Sequence, residues 1–308
     1  MFCGLILGHG NSRRHSPGSP PGSVVLGVPQ SRSNVLKQRL ITACVLIAIV
    51  ISGTLYLETS FFATLLAVFV GFGSWEWAGM SGYNKPISRM LYTLVIVSVL
   101  GGCFIFRNTL VSLFIIAGAV IWWLFAIFLV VTYQRGAVSI PDSRLWKAGM
   151  GLWVLVPAWL SLVILHANGP DGVVSVLFLL VLIWLADTAA YLCGRRWGKT
   201  KLSSRVSPEK SWEGVFGALL ASLAISMGYA LVTNMQGIHI VIFLAICLVT
   251  VSGSVLGDLL ESMMKRCESL KDSSSLLPGH GGVMDRIDSL TAAGPIFLAG
   301  LWLFQDLP

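Results

Sequence analysis

Apolar residues fall along this chain in long blocks divided by short polar segments. A bilayer's hydrocarbon core takes about 20 helical residues to cross. On that scale the blocks predict nine spans, at 40–57, 60–80, 90–106, 109–132, 148–166, 172–191, 214–233, 239–260 and 289–305. Only Arg107 and Asn108 divide the third block from the fourth, which predicts a tight hairpin there. Residues 1–36 belong to a different regime, with Gly, Ser, Pro and Arg in a run such as R-R-H-S-P-G-S-P-P-G. Low hydrophobicity and repeated helix breakers predict a disordered tail ahead of a membrane domain at 37–308. The basic pair Arg13–Arg14 follows the short apolar start instead of preceding it, so the tail reads poorly as a signal peptide. A natural start near Val35 or Leu36 is the other reading of this region.

The charges agree with the blocks. With the N-terminus placed inside, every one of the 21 Lys and Arg residues except Arg107 falls on the cytoplasmic side. A wrong number of spans would scramble that alternation, so the expected fold is an all-α polytopic bundle of about nine transmembrane helices, N-in and C-out. Composition supports the class: 55% of residues are hydrophobic and 11% charged, and the mean hydropathy is +0.80. Soluble proteins are about one quarter charged. A net charge of +7 would also suit a nucleic-acid partner, but the basic residues flank apolar blocks, where they orient a membrane protein and meet anionic headgroups. Nucleic acid is therefore not an expected partner; membrane lipids are. The six cysteines include no C-x-x-C pair, and Cys44, Cys103 and Cys247 lie inside apolar blocks, which argues against a disulfide framework or a zinc site.

Two cytoplasmic connections, 192–213 and 261–288, are long and rich in Lys, Asp, Ser and Gly, and are expected to form the active site as loops. In G-D-L-L-E-S-M-M-K-R, residues 257–266, a helical conformation would put Asp258, Glu261, Ser262 and Lys265 on one face. An acid at the hydrocarbon boundary is costly and needs a partner; pairing with Lys265 or Arg266 is its plain structural reading. Residues 278–288, P-G-H-G-G-V-M-D-R-I-D, read as a glycine turn opening the ninth helix, with Asp285 and Asp288 on one face. Gly281 and Gly282 permit close backbone approach, and free N–H groups at a helix start favour phosphate. Paired carboxylates suit a hard cation such as Mg²⁺, with helix capping as the alternative. In L-A-D-T-A-A-Y, Asp187 lies at the same depth as Asp258 and Asp285. Boundary acids on separate helices that face one compartment point to a shared cation. In S-P-E-K-S-W-E-G, Ser207, Lys210 and Ser211 offer donors to phosphate, and Trp212 suits the headgroup level. Glu76, in W-E-W, is a further buried-acid candidate whose alternative is interface anchoring.

The segment 262–288 resembles the signature of the phosphatidate cytidylyltransferases, also called CDP-diacylglycerol synthases. It carries S-x-apolar-K-R, then K-D after four residues, then P-x-H-G-G and D-R-x-D. The D-T-A-A-Y and S-P-E-K-S-W-E-G stretches also look like family motifs, and the resemblance extends over residues 36–308. It implies a polytopic enzyme of the cell inner membrane, commonly a homodimer, with a Mg²⁺-dependent site open to the cytoplasm and CTP and phosphatidic acid as substrates. It also implies that Asp258 and Asp285 lead the metal ligands, followed by Asp187 and Asp288, with K⁺ or a second Mg²⁺ sharing the site. Lys210, Lys265, Arg266 and Arg286 would hold phosphates, and Ser207, Ser211 and His280 would donate hydrogen bonds. Lys271, Gly281 and Gly282 complete the implied substrate-binding set.

Other classes make different demands. A transporter places its site near the bilayer midplane, often between inverted repeats, whereas these charges gather at one surface and no repeat is evident. A CTP-dependent polyprenol or lipid kinase shares the nucleotide but would release CDP in place of pyrophosphate. A CDP-alcohol phosphotransferase would need a D-G-x-x-A-R element that is absent from the chain.

Overall fold

The computed structural model describes residues 32–136, 143–274, 276 and 281–305. The element order is α1 (Arg32–Tyr56), α2 (Thr59–Met80), α3 (Pro86–Ile105), α4 (Leu110–Gln134), α5 (Arg144–Ala167), α6 (Gly169–Trp197), β1 (Lys201–Ser203), β2 (Ser207–Ser211), α7 (Trp212–Val232), α8 (Ile238–Cys267) and α9 (Met284–Gln305). Each expected span falls on one helix. Eight of the helices, α2 to α9, are long and apolar enough to cross a membrane. The apolar stretch found in α1, Cys44–Tyr56, is shorter than that. The tail expected at 1–36 lies outside the described residues except for its last part, which is helical from Arg32.

Local signals set the helix ends. Thr109 and Ser143 accept hydrogen bonds from the backbone N–H groups of Val111 and Trp146, capping α4 and α5. Proline opens α3 and the first turn of α6, where its missing N–H costs nothing. The expected α3–α4 hairpin is present, and Arg107 closes it. Its guanidinium donates to the Phe104 carbonyl at 2.7 Å and lies 4.1 Å from the centre of the Phe104 ring.

α5 is the centre of the bundle, the most buried of the spanning helices, and packs on α2, α6 and α9. Indole and phenol groups find backbone partners across helices: Trp159 donates to Ala63, Trp77 to Lys147 and Tyr92 to Ala148, at 2.8–2.9 Å. α3 and α4 lie outside and turn Leu94, Leu113, Phe114 and Phe128 outward, as helices facing hydrocarbon must.

The closest helix pair positions the polar site. On α8, Gly253 and Gly257 stand four residues apart, the small-residue spacing that lets helix backbones meet. A Cβ at Gly257 would lie 2.5 Å from the Asp288 carbonyl oxygen of α9. Asp258 is thereby held beside the start of α9. Gly257→Val is expected to force the two helices apart, costing about 1–3 kcal/mol as overpacking does. A lowered thermal unfolding temperature in detergent, together with lost activity, checks this.

The polar connections differ from the loops expected. α8 continues to Cys267, so residues 261–267 are helix, because Glu261, Ser262 and Lys265 form a polar stripe buried on the protein side, with Asp258 half-buried at its start. Residues 201–211 form an antiparallel hairpin, pairing Lys201 with Ser211 and Ser203 with Ser207. Among the described residues the other regular elements are all helices.

Candidate active site

The C-terminal ends of α2, α6 and α8, the start of α9 and the β hairpin meet at one end of the bundle. At the centre, Lys265 bridges two carboxylates. Its ammonium lies 3.0 Å from Glu261 Oε2, one turn back on α8, and 2.7 Å from Asp285 Oδ1 on α9. The other oxygen of Asp285 accepts from Ser273 N at 3.1 Å and Gly282 N at 2.9 Å, and lies 3.0 Å from Ser273 Oγ, whose single hydrogen it shares with Glu76. Asp285 is thus fixed from both sides.

Beside it, Lys210 of the hairpin reaches Asp258 Oδ2 at 2.6 Å, while Ser262 donates to Asp258 Oδ1 at 3.3 Å. Asp258 and Lys210 are each more than a quarter exposed, so this pair faces an approaching ligand more openly than the Lys265 pair. Asp187 on α6 accepts from Ser289 Oγ at 3.4 Å, and Asp288 Oδ1 accepts from Ser289 N at 2.7 Å. Ser289 touches both Asp187 and Asp288, and Gly257, next to Asp258, packs on the Asp288 carbonyl, so the acids predicted from three separate stretches share one neighbourhood.

Several of the expected site residues also make contacts within the protein. The N–H groups at the start of α9 do not form an open phosphate cradle. Gly282 N serves Asp285, and Val283 N and Met284 N serve Glu76, because a carboxylate outcompetes solvent for a buried helix start. Gly281 has φ +79°, a left-handed turn that glycine adopts without strain. Gly282 is needed for space, since a Cβ there would collide with Ser273 Oγ and press on Glu76. Ser211 caps α7 by accepting from Gly214 N at 3.2 Å and is buried, so its first role is structural. Arg266 ties the hairpin to the end of α8, donating to the carbonyls of Val206 at 3.2 Å and Leu270 at 3.1 Å. Ser207 begins β2, half-buried, and Lys271 is exposed. Arg286 turns to another face of α9, where it lines an apolar cavity with Leu155, Trp159, Leu180, Ile287 and Leu290. His280 lies outside the described residues.

Two contacts were beyond sequence reasoning. Glu76 Oε1 accepts from Ser274 Oγ at 2.5 Å and Val283 N at 3.0 Å, and Oε2 from Ser273 Oγ at 2.9 Å and Met284 N at 2.7 Å. Its acid inside an apolar block was the only signal. Lys147, buried at the start of α5, pairs with Glu268 at 2.6 Å just past α8; nothing in the sequence singled it out.

Whether the acids suit a metal is a question of donor chemistry. Among the described residues, no three Asp, Glu, His or Cys side chains close on one point. That fits Mg²⁺, which is usually held by one or two carboxylates together with substrate phosphates, not by a complete protein cage. The ammonium groups of Lys210 and Lys265 already stand against the carboxylate oxygens that a divalent ion would use.

Residues 37–304 match the model of the cytidylyltransferase family. The phosphatidate cytidylyltransferase of Pseudomonas aeruginosa is 43% identical over 272 residues, covering 87% of this chain and 97% of that protein. Those of Haemophilus influenzae and Brucella suis are 36% and 35% identical, over 85% and 87% of this chain and 97% and 93% of theirs. This multi-pass membrane protein belongs to the cytidylyltransferase family.

Proposed function

We propose that this chain is a phosphatidate cytidylyltransferase, converting CTP and phosphatidic acid to CDP-diacylglycerol and pyrophosphate. The observation that carries this reading is the pair of ammonium–carboxylate contacts, Lys210–Asp258 and Lys265–Asp285, set side by side at the helix ends. They join the 262–288 signature and the hairpin motif in one place. A phosphate oxygen of phosphatidic acid attacks the α-phosphorus of CTP. The new P–O bond forms as the bond from that phosphorus to the oxygen bridging to the β-phosphate breaks, and pyrophosphate leaves with that oxygen.

Such transfer depends on positioning and charge neutralisation more than on covalent chemistry. Lys210 is placed to exchange its bond to Asp258 for one to a CTP phosphate. Lys265 holds Asp285 in orientation. Arg286, which lines the apolar cavity one residue after Asp285, is suited to the lipid phosphate with an acyl chain alongside. Mg²⁺, when bound, would supply neutralisation of the triphosphate; one or two of Asp187, Asp258, Asp285 and Asp288 would hold it together with substrate phosphates, and a second cation such as K⁺ would share the site. The Lys and Arg distribution supports an N-in, C-out orientation in the inner membrane with the site facing the cytoplasm. A homodimer is proposed on the family resemblance.

Mass spectrometry of the lipid fraction after incubation with CTP, Mg²⁺ and phosphatidic acid tests the reading: CDP-diacylglycerol supports it, and a newly phosphorylated lipid with CDP would replace it with the kinase. In the same assay Lys210→Ala is expected to raise KM for CTP at least about tenfold, since a hydrogen bond to a charged group is worth about 1.5–3 kcal/mol. An unchanged KM and turnover would remove Lys210 from the site.

A further inference from the structure

Glu76 ends α2, far in sequence from every motif used so far, and is 1% exposed. Its four hydrogen-bond donors, two hydroxyls and two backbone N–H groups, all belong to the segment 273–284. A helix start is ordinarily capped by the residue just before it. Here the cap of α9 comes from a helix some 200 positions earlier in the chain, so α2 dictates where α9 begins. Moreover, the Ser273 hydroxyl lies between two carboxylates, 2.9 Å from Glu76 Oε2 and 3.0 Å from Asp285 Oδ2. Glu76 therefore sets the position of Ser273, and Ser273 that of Asp285. Five residues before that segment, Lys147 of α5 holds Glu268. The signature is thus gripped from α5 at Glu268 and from α2 at residues 273–284.

We propose that Glu76 is a positioning residue for the transfer, acting through Ser273 to fix the carboxylate of Asp285. The inference rests on the cytidylyltransferase reading for its activity readout. A carboxylate suits the task because both oxygens accept, and each here meets one hydroxyl and one N–H. An amide would present its own N–H₂ to donors on one side. Glu76→Gln should therefore loosen the segment while leaving the volume of the site unchanged.

The test compares wild type, Glu76→Gln and Ser273→Ala in detergent. Ser273→Ala removes the bridge to Asp285 but keeps the Glu76 bonds to Val283 and Met284, so it separates positioning from capping. Both variants are expected to lower kcat about 10–100-fold, the range seen when groups that orient metal-site ligands are removed. KM for phosphatidic acid should stay within about twofold, and Ser273→Ala should unfold at the wild-type temperature. Without substrate or metal, hydrogen–deuterium exchange across 270–284 should speed up in Glu76→Gln. Wild-type kcat in Glu76→Gln, or full activity in Ser273→Ala beside a destabilised Glu76→Gln, would reduce Glu76 to a cap and overturn the proposal. A folded wild type without cytidylyltransferase activity would instead overturn the reading of function; the exchange experiment would then decide by itself, unchanged protection in Glu76→Gln counting against the proposal.

Discussion

Asp285→Asn is expected to yield a folded membrane protein that has lost at least about 100-fold of its turnover, on the scale of losses at metal-orienting groups. Asp285 uses one oxygen for Lys265 and the other for the N–H groups of Ser273 and Gly282 and a shared Ser273 hydroxyl. An amide keeps only one of those oxygens. Turned one way, its nitrogen faces the ammonium; turned the other, it faces the N–H groups. In either orientation the charge that suits a divalent cation is gone. Folding should survive, because Lys265 keeps Glu261 and Glu76 still caps α9. Turnover measured beside the thermal unfolding temperature checks this, and near-normal turnover would remove Asp285 from the site.

Lys265→Met should act on stability as well as activity. The Lys265 side chain is 11% exposed and holds Glu261 and Asp285, which are 1% and 9% exposed. Removing one partner of a buried ion pair costs about 3–5 kcal/mol, because an uncompensated charge remains. Here two acids would remain, close enough for their charges to repel. The variant is expected to unfold at a clearly lower temperature. Adding Glu261→Gln should recover much of that loss, because one of the stranded charges goes with it. No recovery in the double variant would mean that Lys265 stabilises by packing, not by charge.

The spans and the position of the acidic cluster were legible because both are local properties. Long apolar blocks specify helices, and acids at block ends must gather where water and lysines are available. The polar stripe of Asp258, Glu261, Ser262 and Lys265 was readable as a helical face, yet the end of α8 was not. A buried polar stripe and a solvated loop have the same composition; only the packing of α9 against Gly257 distinguishes them. The β hairpin escaped notice for a related reason, since its strands are short and polar and carry no apolar alternation. Ser211 and Arg266 suit phosphate by type, and their contacts to backbone groups become visible only once the hairpin exists. Glu76 was ambiguous because its partners lie about 200 residues away, and no spacing rule reaches across that distance.

Pyrophosphate release by the purified, detergent-solubilised chain, supplied with CTP and Mg²⁺ and assayed with and without phosphatidic acid, tests the central claim most directly. Release that requires both CTP and the lipid is the predicted result. Folded protein that yields no lipid-dependent pyrophosphate, or yields CDP in its place, would contradict it.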